Sequence, residues 1–160
     1  MEAKKYLDAL TKATEEWIAF NKVLGIKVEE LRPGYARFRI PYRPELLGDP
    51  VRPAIHGGVL SALVDACGGA ACFTMVHVND RLSTVDLRVD YLRPAKPADL
   101  ICESEVIRMG NRVACVKSSV RGPDSDDPVV VSMAVYNVRR VNKEDENQGE
   151  EKPRKHRSTE

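Results

Sequence analysis

The strongest constraint on this fold is a long run of small and apolar residues, 57–76, interrupted by one carboxylate, Asp65. This length predicts a helix, and its side chains are apolar or small on nearly every face. Such a helix has to be covered on all sides by other parts of the protein. The run therefore predicts a central core helix, and it raises the question of why a carboxylate stands inside it.

Composition limits the classes of protein that this chain can represent. With 160 residues, 42% of them hydrophobic, the chain can form one globular domain with a sizeable core. The net charge of +1 excludes a general electrostatic attraction to nucleic acid or to an anionic membrane. Asp65 and the glycines of the apolar run argue against a membrane span, and the N-terminus lacks the continuous apolar core of a signal peptide. We expect a cytoplasmic protein whose four cysteines are reduced core thiols and which binds no metal.

Hydrophobic periodicity predicts an α+β fold. Helical spacing covers residues 4–22, and the run 57–76 gives the long helix. Alternation predicts strands at 24–30, 35–40, 83–92, 100–107, 113–120 and 129–138, while the four prolines of 41–55 predict an irregular loop. Successive hairpins imply an antiparallel sheet curved around the long helix. We expect one domain over 1–141 and a disordered charged tail over 142–160.

Two interpretations of Asp65 remain open at this level. A carboxylate in a core helix is costly unless it has partners or faces a cleft, so Asp65 either caps a loop, pairs with an arginine, or belongs to a reactive site. The residues before the helix favour the reactive site. Gly57 and Gly58 follow His56 and allow a ligand to approach the first backbone N–H groups of the helix. Such groups can polarise a carbonyl or stabilise an oxyanion.

The spacing of Gly57 and Asp65 predicts a dimer. The two residues are eight positions apart, which is about 12 Å along a helix axis. A carbonyl-polarising N–H and a reactive carboxylate must both lie about 3 Å from one reacting centre, so these two cannot act together within one helix. Two such helices packed antiparallel across a two-fold axis would bring Gly57 of one chain to Asp65 of the other. This predicts an isologous dimer with two composite sites.

Several motifs together resemble one known family. His56-Gly57-Gly58 before a helix with Asp65 is followed by the strand 84–94, which reads Thr-Val-Asp-Leu-Arg-Val-Asp-Tyr-Leu-Arg-Pro, and by the turn 108–112, which reads Arg-Met-Gly-Asn-Arg. Over residues 20–139 the chain resembles the hotdog-fold acyl-CoA thioesterases of the phenylacetate-pathway (PaaI-like) type. The resemblance implies a long central helix wrapped by a curved antiparallel sheet, and the hydrolysis of an acyl-CoA to the free acid and CoA.

The resemblance also implies roles for particular residues. Asp65 would be the nucleophile or the general base, and the Gly57 N–H would polarise the thioester carbonyl. His56 would orient the site, and Ser83 or Thr84 would position the attacking water. The sites would lie at the interface of a homodimer, dimers would pair into tetramers, and no cofactor would take part.

One position departs from the family pattern. Many members carry Asn six residues before the motif histidine, where this chain has Pro50. Asp49 is a neighbouring polar residue that we expect to contact the substrate instead, together with Gly58. A CoA ester also needs basic groups for its phosphates, and Arg93 is the main candidate.

Two other functions stay open. A non-catalytic acyl-CoA-binding protein could use the same scaffold, because fold does not determine function; the missing loop Asn favours this reading. A hotdog hydratase or dehydratase is the second alternative, although such enzymes pair a carboxylate with a histidine inside the site in a different motif. Release of free thiol from an acyl-CoA separates the thioesterase from both.

Overall fold

The computed structural model describes residues 2–49 and 51–141; Pro50 and the tail predicted at 142–160 lie outside the described residues. The helices are α1 (Glu2–Lys12), α2 (Ala19–Leu24) and α3 (Gly57–Phe73). The strands are β1 (Lys27–Arg32), β2 (Tyr35–Ile40), β3 (Leu47–Asp49), β4 (Ala54–Ile55), β5 (Arg81–Tyr91), β6 (Leu100–Met109), β7 (Val113–Arg121) and β8 (Val130–Arg139).

The six long strands form one antiparallel sheet in the order β1-β2-β6-β7-β8-β5. Their inward residues alternate with outward ones, as in β8, where every second residue from Val130 to Val138 is buried. Helix α3 packs on the inner face, and Leu63, Val64 and Cys67 are fully buried there. This is the hotdog arrangement that the resemblance implies, so the predicted fold class is confirmed.

The N-terminal segment differs from the single helix predicted over 4–22. Helix α1 continues into a π-helical turn, Ala13–Trp17, and the backbone is extended at Ile18 before α2 begins. The side-chain amide of Asn21 donates to the Thr14 carbonyl at 3.0 Å and links the two sides of this break. Both residues are buried. Amphipathic spacing continues through the break, which is why periodicity alone did not reveal it.

Further boundaries differ from the predictions. The first strand begins at Lys27 and not at residue 24, because Leu24 ends α2. The loop 41–55 contains a 3₁₀ turn, Pro44–Leu46, and the short antiparallel pair β3–β4. Helix α3 ends at Phe73, not at residue 76, because the Thr74 hydroxyl donates to the Ala71 carbonyl at 2.6 Å and accepts the N–H of Gly34 at 2.8 Å. A threonine hydroxyl that bonds to nearby backbone groups competes with the hydrogen bonds of the helix, and this favours the end of the helix.

The N-terminal helices lie over part of the face of α3 that the sheet leaves open. The hydroxyl of Tyr6 donates to the Phe73 carbonyl at 3.0 Å and joins α1 to the end of α3. The N-terminal helices therefore supply part of the cover that an apolar helix of this kind requires. Among the described residues, no helix is long and apolar enough to cross a membrane.

A buried carboxylate, Asp80, connects the turn after α3 to the end of β8. Asp80 accepts hydrogen bonds from the backbone N–H groups of His77 and Val141 and from the Arg140 guanidinium, the last at 2.7 Å. Burial works to raise the pKa of this carboxyl, but the hydrogen bonds and the charge of Arg140 outweigh it, so the pKa is lowered from 3.8.

We expect Asp80→Asn to lower the free energy of unfolding by about 1–3 kcal/mol at neutral pH, since a buried set of charge-assisted hydrogen bonds is weakened. Because the folded pKa is depressed, this stabilisation is complete above the unfolded pKa and is lost as the pH falls through the folded value. Urea unfolding of both proteins at pH 7 and near pH 3 measures it. A difference of equal size at both pH values would contradict this role for the carboxylate.

Candidate active site

Asp65 lies half-buried in the middle of α3, and two hydroxyl groups contact it. The Thr84 hydroxyl donates to Asp65 Oδ1 at 2.8 Å. The Tyr136 hydroxyl lies 2.8 Å from the Asp65 carbonyl and 3.5 Å from Oδ1. Among residues 2–49 and 51–141, no arginine forms an ion pair with Asp65, so the described structure does not support the arginine-pairing alternative. Within the described part of the chain, the side-chain partners of Asp65 are therefore neutral hydroxyl groups.

The register of the sheet explains why these two hydroxyls meet. Thr84 of β5 and Tyr136 of β8 are directly paired across the two strands, so their side chains share the inner face. The register shifts immediately after Thr84, between Thr84 and Asp86. Such a bulge adds a residue to one strand and re-aims the side chains beside it. The pair consequently reaches the same turn of α3.

Tyr136 is the site residue that the sequence analysis missed. It is almost fully buried, and burial, together with the nearby charge of Asp65, raises the pKa of its phenol well above the ordinary value of 10.0. The phenol therefore stays protonated and remains a hydrogen-bond donor at physiological pH. The signal available in the sequence was its inward position in β8, since a buried tyrosine needs a partner for its hydroxyl.

Two glycines of α3 face the Tyr136 ring. A Cβ atom added to Gly68 would lie 2.5 Å from the tyrosine oxygen, closer than atoms can approach without displacement. A Cβ atom added to Gly69 would meet the ring no closer than 3.7 Å, which is an ordinary contact. Gly68 is thus the residue that lets the tyrosine hydroxyl approach the backbone of α3.

The start of α3 carries the His-Gly-Gly motif. Nδ1 of His56 accepts the Gly58 N–H at 2.9 Å, so the histidine caps the helix, and its side chain is exposed. This bond occupies the Gly58 N–H, which we had expected to face substrate. Gly57 is the first residue of the helix, where a backbone N–H has no acceptor within the helix. The Tyr91 hydroxyl donates to the Gly57 carbonyl at 3.1 Å.

The remaining predicted residues are spread over different places. Ser83 lies next to Thr84 and borders the same cavity, but Thr84 is the one that contacts Asp65. The backbone N–H groups of Arg52 and Val51 donate to Asp49 and lower the pKa of its carboxyl, so Asp49 organises its own loop. Arg93 is exposed and lies 3.3 Å from Asp127.

A cavity of about 600 Å³ opens beside Asp65. Its walls come from α1, the π-helical turn and α2 on one side and from α3 and the start of β5 on the other. Apolar side chains make most of its surface, and Thr84 and Tyr136 border it next to the carboxylate. An apolar pocket with a few polar groups at one end is the usual form of a small-molecule site.

Comparisons with known proteins identify the family. Residues 53–129 match the family model described as "Thioesterase superfamily". A Halobacterium salinarum protein, provisionally named an esterase, is 38% identical over 116 residues, which is 70% of this chain and 76% of that protein. The medium/long-chain acyl-CoA thioesterase YigI of Escherichia coli K12 is 29% identical over 111 residues, covering 61% of this chain and 72% of that protein. A crystal structure of a thioesterase-superfamily protein superposes with a TM-score of 0.75 at 32% identity, covering 84% of this chain and 99% of that one.

The chain belongs to the thioesterase superfamily and is a thioester hydrolase. The matched segment contains Asp65, Thr84 and the His-Gly-Gly motif but ends before Tyr136 and begins after the N-terminal helices. Asp65 and the hydroxyls around it form the candidate centre for this chemistry.

The paired glycines give a test of the Tyr136 position. Gly68→Ala would push the tyrosine away from α3, so we expect a loss of about 1–3 kcal/mol in the free energy of unfolding. Gly69→Ala is the matched control, and alanine in a helix interior should stabilise by about 0.5–1 kcal/mol. Urea unfolding measures both. The description of this contact is wrong if the two variants change stability in the same direction.

Proposed function

We propose that this protein hydrolyses acyl-CoA thioesters to the free acid and CoA, with Asp65 as the reacting carboxylate. The observation that carries the proposal is the position of Asp65, which two hydroxyls hold at the wall of an apolar cavity. The name of the Escherichia coli relative supports acyl-CoA as the substrate class. The motifs described above support the PaaI-like type within the superfamily.

The geometry is compatible with two forms of the reaction. Asp65 can take a proton from a water that attacks the thioester carbonyl, after which CoA leaves as the thiol. Alternatively, a carboxylate oxygen attacks the carbonyl, the C–S bond breaks and CoA leaves as a thiolate that takes up a proton, and water then hydrolyses the resulting mixed anhydride to the free acid and the regenerated carboxylate. The side-chain contacts from Thr84 and Tyr136 go to Oδ1, so the lone pairs of Oδ2 can serve the reaction in either form. The two hydroxyls are positioning groups for the carboxylate.

The edge of the sheet supports a dimer. Strand β5 is eleven residues long and, within residues 2–49 and 51–141, pairs with β8 alone, so its other edge presents backbone groups that no described strand pairs. Val85 is 65% exposed on it. A long unpaired edge of this kind needs a partner strand or a cover. The proposal is that β5 pairs antiparallel with β5 of a second chain across a two-fold axis.

Such pairing would complete the active site. If the axis passes between residues 87 and 88, Thr84 of one strand lies opposite Tyr91 of the other. Thr84 contacts Asp65, whereas Tyr91 contacts the carbonyl of Gly57 within each chain. The N–H of the partner's Gly57 would then lie near the thioester carbonyl on which Asp65 acts. Gly57 and Asp65 of one helix are about 12 Å apart, so only residues from two chains could meet in this way.

Other parts of the proposal rest on fewer contacts. Arg93 would bind CoA phosphates by exchanging Asp127 for a stronger anion, and Asp49 would hold the loop that borders the nucleotide. Dimers would pair into tetramers in the cytoplasm, with residues 1–141 as the domain and 142–160 as a tail. The substitution at Pro50 is the observation that favours a non-catalytic acyl-CoA-binding protein as the second candidate.

Substitutions at the carboxylate test the chemistry. We expect Asp65→Asn to reduce kcat by about a thousandfold or more while leaving the fold intact, because the amide can act neither as nucleophile nor as base. Thr84→Val removes one positioning hydroxyl and should cost about tenfold, whereas Thr84→Ser should restore most of the rate. Thiol release from a panel of acyl-CoA esters measures these rates. Parental turnover by Asp65→Asn would refute the assignment; binding of acyl-CoA by the parent without thiol release would favour the non-catalytic alternative.

Mixed dimers test whether each site uses two chains. Gly57→Pro removes the N–H at a helix position where proline is tolerated, and His56 already has the extended conformation that precedes proline. Neither Gly57→Pro nor Asp65→Asn should be active alone. After the two variants exchange subunits, one site of each heterodimer is intact, so about one quarter of the parental activity should return.

Gly57→Ala is the control for the mixed dimers, since it keeps the N–H while adding a Cβ atom near Tyr91. It should retain most activity. A mixture with no recovered turnover, in a sample shown by mass spectrometry to contain heterodimers, would place both groups of each site in one chain and contradict the composite site.

A further inference from the structure

We infer that the N-terminal segment, residues 2–24, forms the acyl-chain pocket of its own chain and sets the length of the acyl group that is accepted. The preferred substrate is an unsubstituted hydrocarbon chain of medium to long length. This inference rests on the proposed function, because it assigns the cavity beside Asp65 to the acyl part of the thioester.

Small side chains on two facing surfaces create the cavity. Ala9 and Ala13 line it from the N-terminal segment, and Ala62, Ala66 and Gly69 line it from α3. Where two packed helices both present alanine or glycine, the helices normally approach until the gap closes. Here the tether between Tyr6 and Phe73 and the break at Ile18 hold the N-terminal segment away from α3, so the space persists.

The break in the N-terminal segment shapes the far wall. The π-helical turn places Trp17 at the cavity, and the extended backbone at Ile18 turns the chain so that Phe20 lines it too. The buried hydrogen bond from Asn21 to the Thr14 carbonyl fixes this turn. Irregular π-helical turns are frequently found at functional sites, which agrees with a wall that contacts a ligand.

The rim of the cavity exposes large apolar side chains to water. Trp17 is 68% exposed, Phe20 59% and Val78 75%, and all three border the cavity. An apolar patch of this kind marks a binding surface. A hydrocarbon chain lying in the cavity would cover these side chains, and each methylene that reaches them would add to binding.

The charge of the cavity lining and the size of the cavity indicate the chemical class of the acyl chain. Among the described residues that line the cavity, Asp65 is the only acidic or basic one, and it stands where the thioester carbonyl must react. The rest of the cavity offers no charged partner to a substituted or dicarboxylic chain. A volume of about 600 Å³ is far more than an acetyl group needs and lies in the range of whole small-molecule ligands.

The residues that form this wall and the proposed reacting residues lie in different parts of the sequence. The superfamily match covers 53–129, which contains Asp65 and Thr84 but none of residues 2–24. The reacting groups therefore come from the part of the chain shared with the superfamily. The depth of the pocket comes from a segment outside it.

Filling the pocket is the test. Ala13→Phe places a ring in the cavity, and Ala19→Phe is its matched control, because Ala19 is exposed on α2 and does not line the cavity. Activities are measured as kcat/KM on straight-chain esters from butanoyl- to palmitoyl-CoA. Affinities of the same esters are measured as Kd in the Asp65→Asn background, where turnover is blocked.

For the parent we expect kcat/KM to rise about fourfold with each added methylene until the pocket is full. Relative to its own activity on butanoyl-CoA, Ala13→Phe should lose about tenfold or more on the longest acyl chains. Urea unfolding of this variant shows separately that it folds. Ala19→Phe should match the parent throughout. Leu10→Ala, which shortens a side chain of the same wall and so enlarges the cavity, should shift the optimum of kcat/KM to longer acyl chains.

The outcomes separate the two proposals. Hydrolysis with a length profile that Ala13→Phe leaves unchanged would overturn the pocket assignment and leave the proposed function standing. Absence of thiol release from every ester, with Kd values that still depend on chain length and on Ala13→Phe, would overturn hydrolysis of these esters and support the pocket. Affinity for acyl-CoA that does not vary with chain length would overturn the pocket whatever the turnover.

Discussion

The hydrogen bond from Thr84 to Asp65 is the contact on which the site depends, because it joins the sheet to the one carboxylate of the core helix. An ionised carboxylate in an apolar core is tolerated only when donors surround it or when it faces a cleft. Here Thr84 and Tyr136 supply the donors, and the cavity supplies the cleft. With Asp65 as the proposed reacting group, the β5–β8 pairing therefore positions a side chain that lies on neither strand.

This dependence explains the distribution of tight packing in the molecule. Tyr136 reaches Asp65 only because Gly68 leaves room for its oxygen. Tyr136 is paired directly with Thr84, and the bulge in β5 follows immediately after that pair. Packing around the carboxylate is thus determined to within a single methyl group. On the adjacent face of α3, towards the N-terminal helices, packing is loose enough to leave a large cavity. Under the proposed function, the firmly held carboxylate and the space for its substrate therefore lie on adjacent faces of one helix.

The fold and the helix part of the site were predictable, whereas the support of the site was not. Alternating strands and the all-apolar helix indicated an antiparallel sheet curved around a central helix, and the motifs around Asp65 added the resemblance to the hotdog fold. Asp65 stood out because an isolated carboxylate breaks an apolar pattern. Tyr136 did not stand out, since a tyrosine in an alternating strand looks like ordinary core. The break at Ile18 was hidden because its amphipathic spacing continues on both sides. Cross-strand register and local backbone irregularity depend on tertiary contacts, which a single sequence does not display.

The π-helical turn at 13–17 has a consequence for how this protein can diverge. A π-helical turn holds one residue more than an α-helical turn of the same rise, so deleting a single residue there would convert it to regular helix. The π-turn with its extra residue and the regular turn that would replace it cover nearly the same angle and rise, so α1 would keep its orientation and Ala9 and Leu10 would still line the cavity. Only the side chains of the turn itself, among them Trp17, would be spaced differently along the wall. A one-codon deletion, far from Asp65, could thus change the far wall of the cavity while leaving the rest of α1 in place.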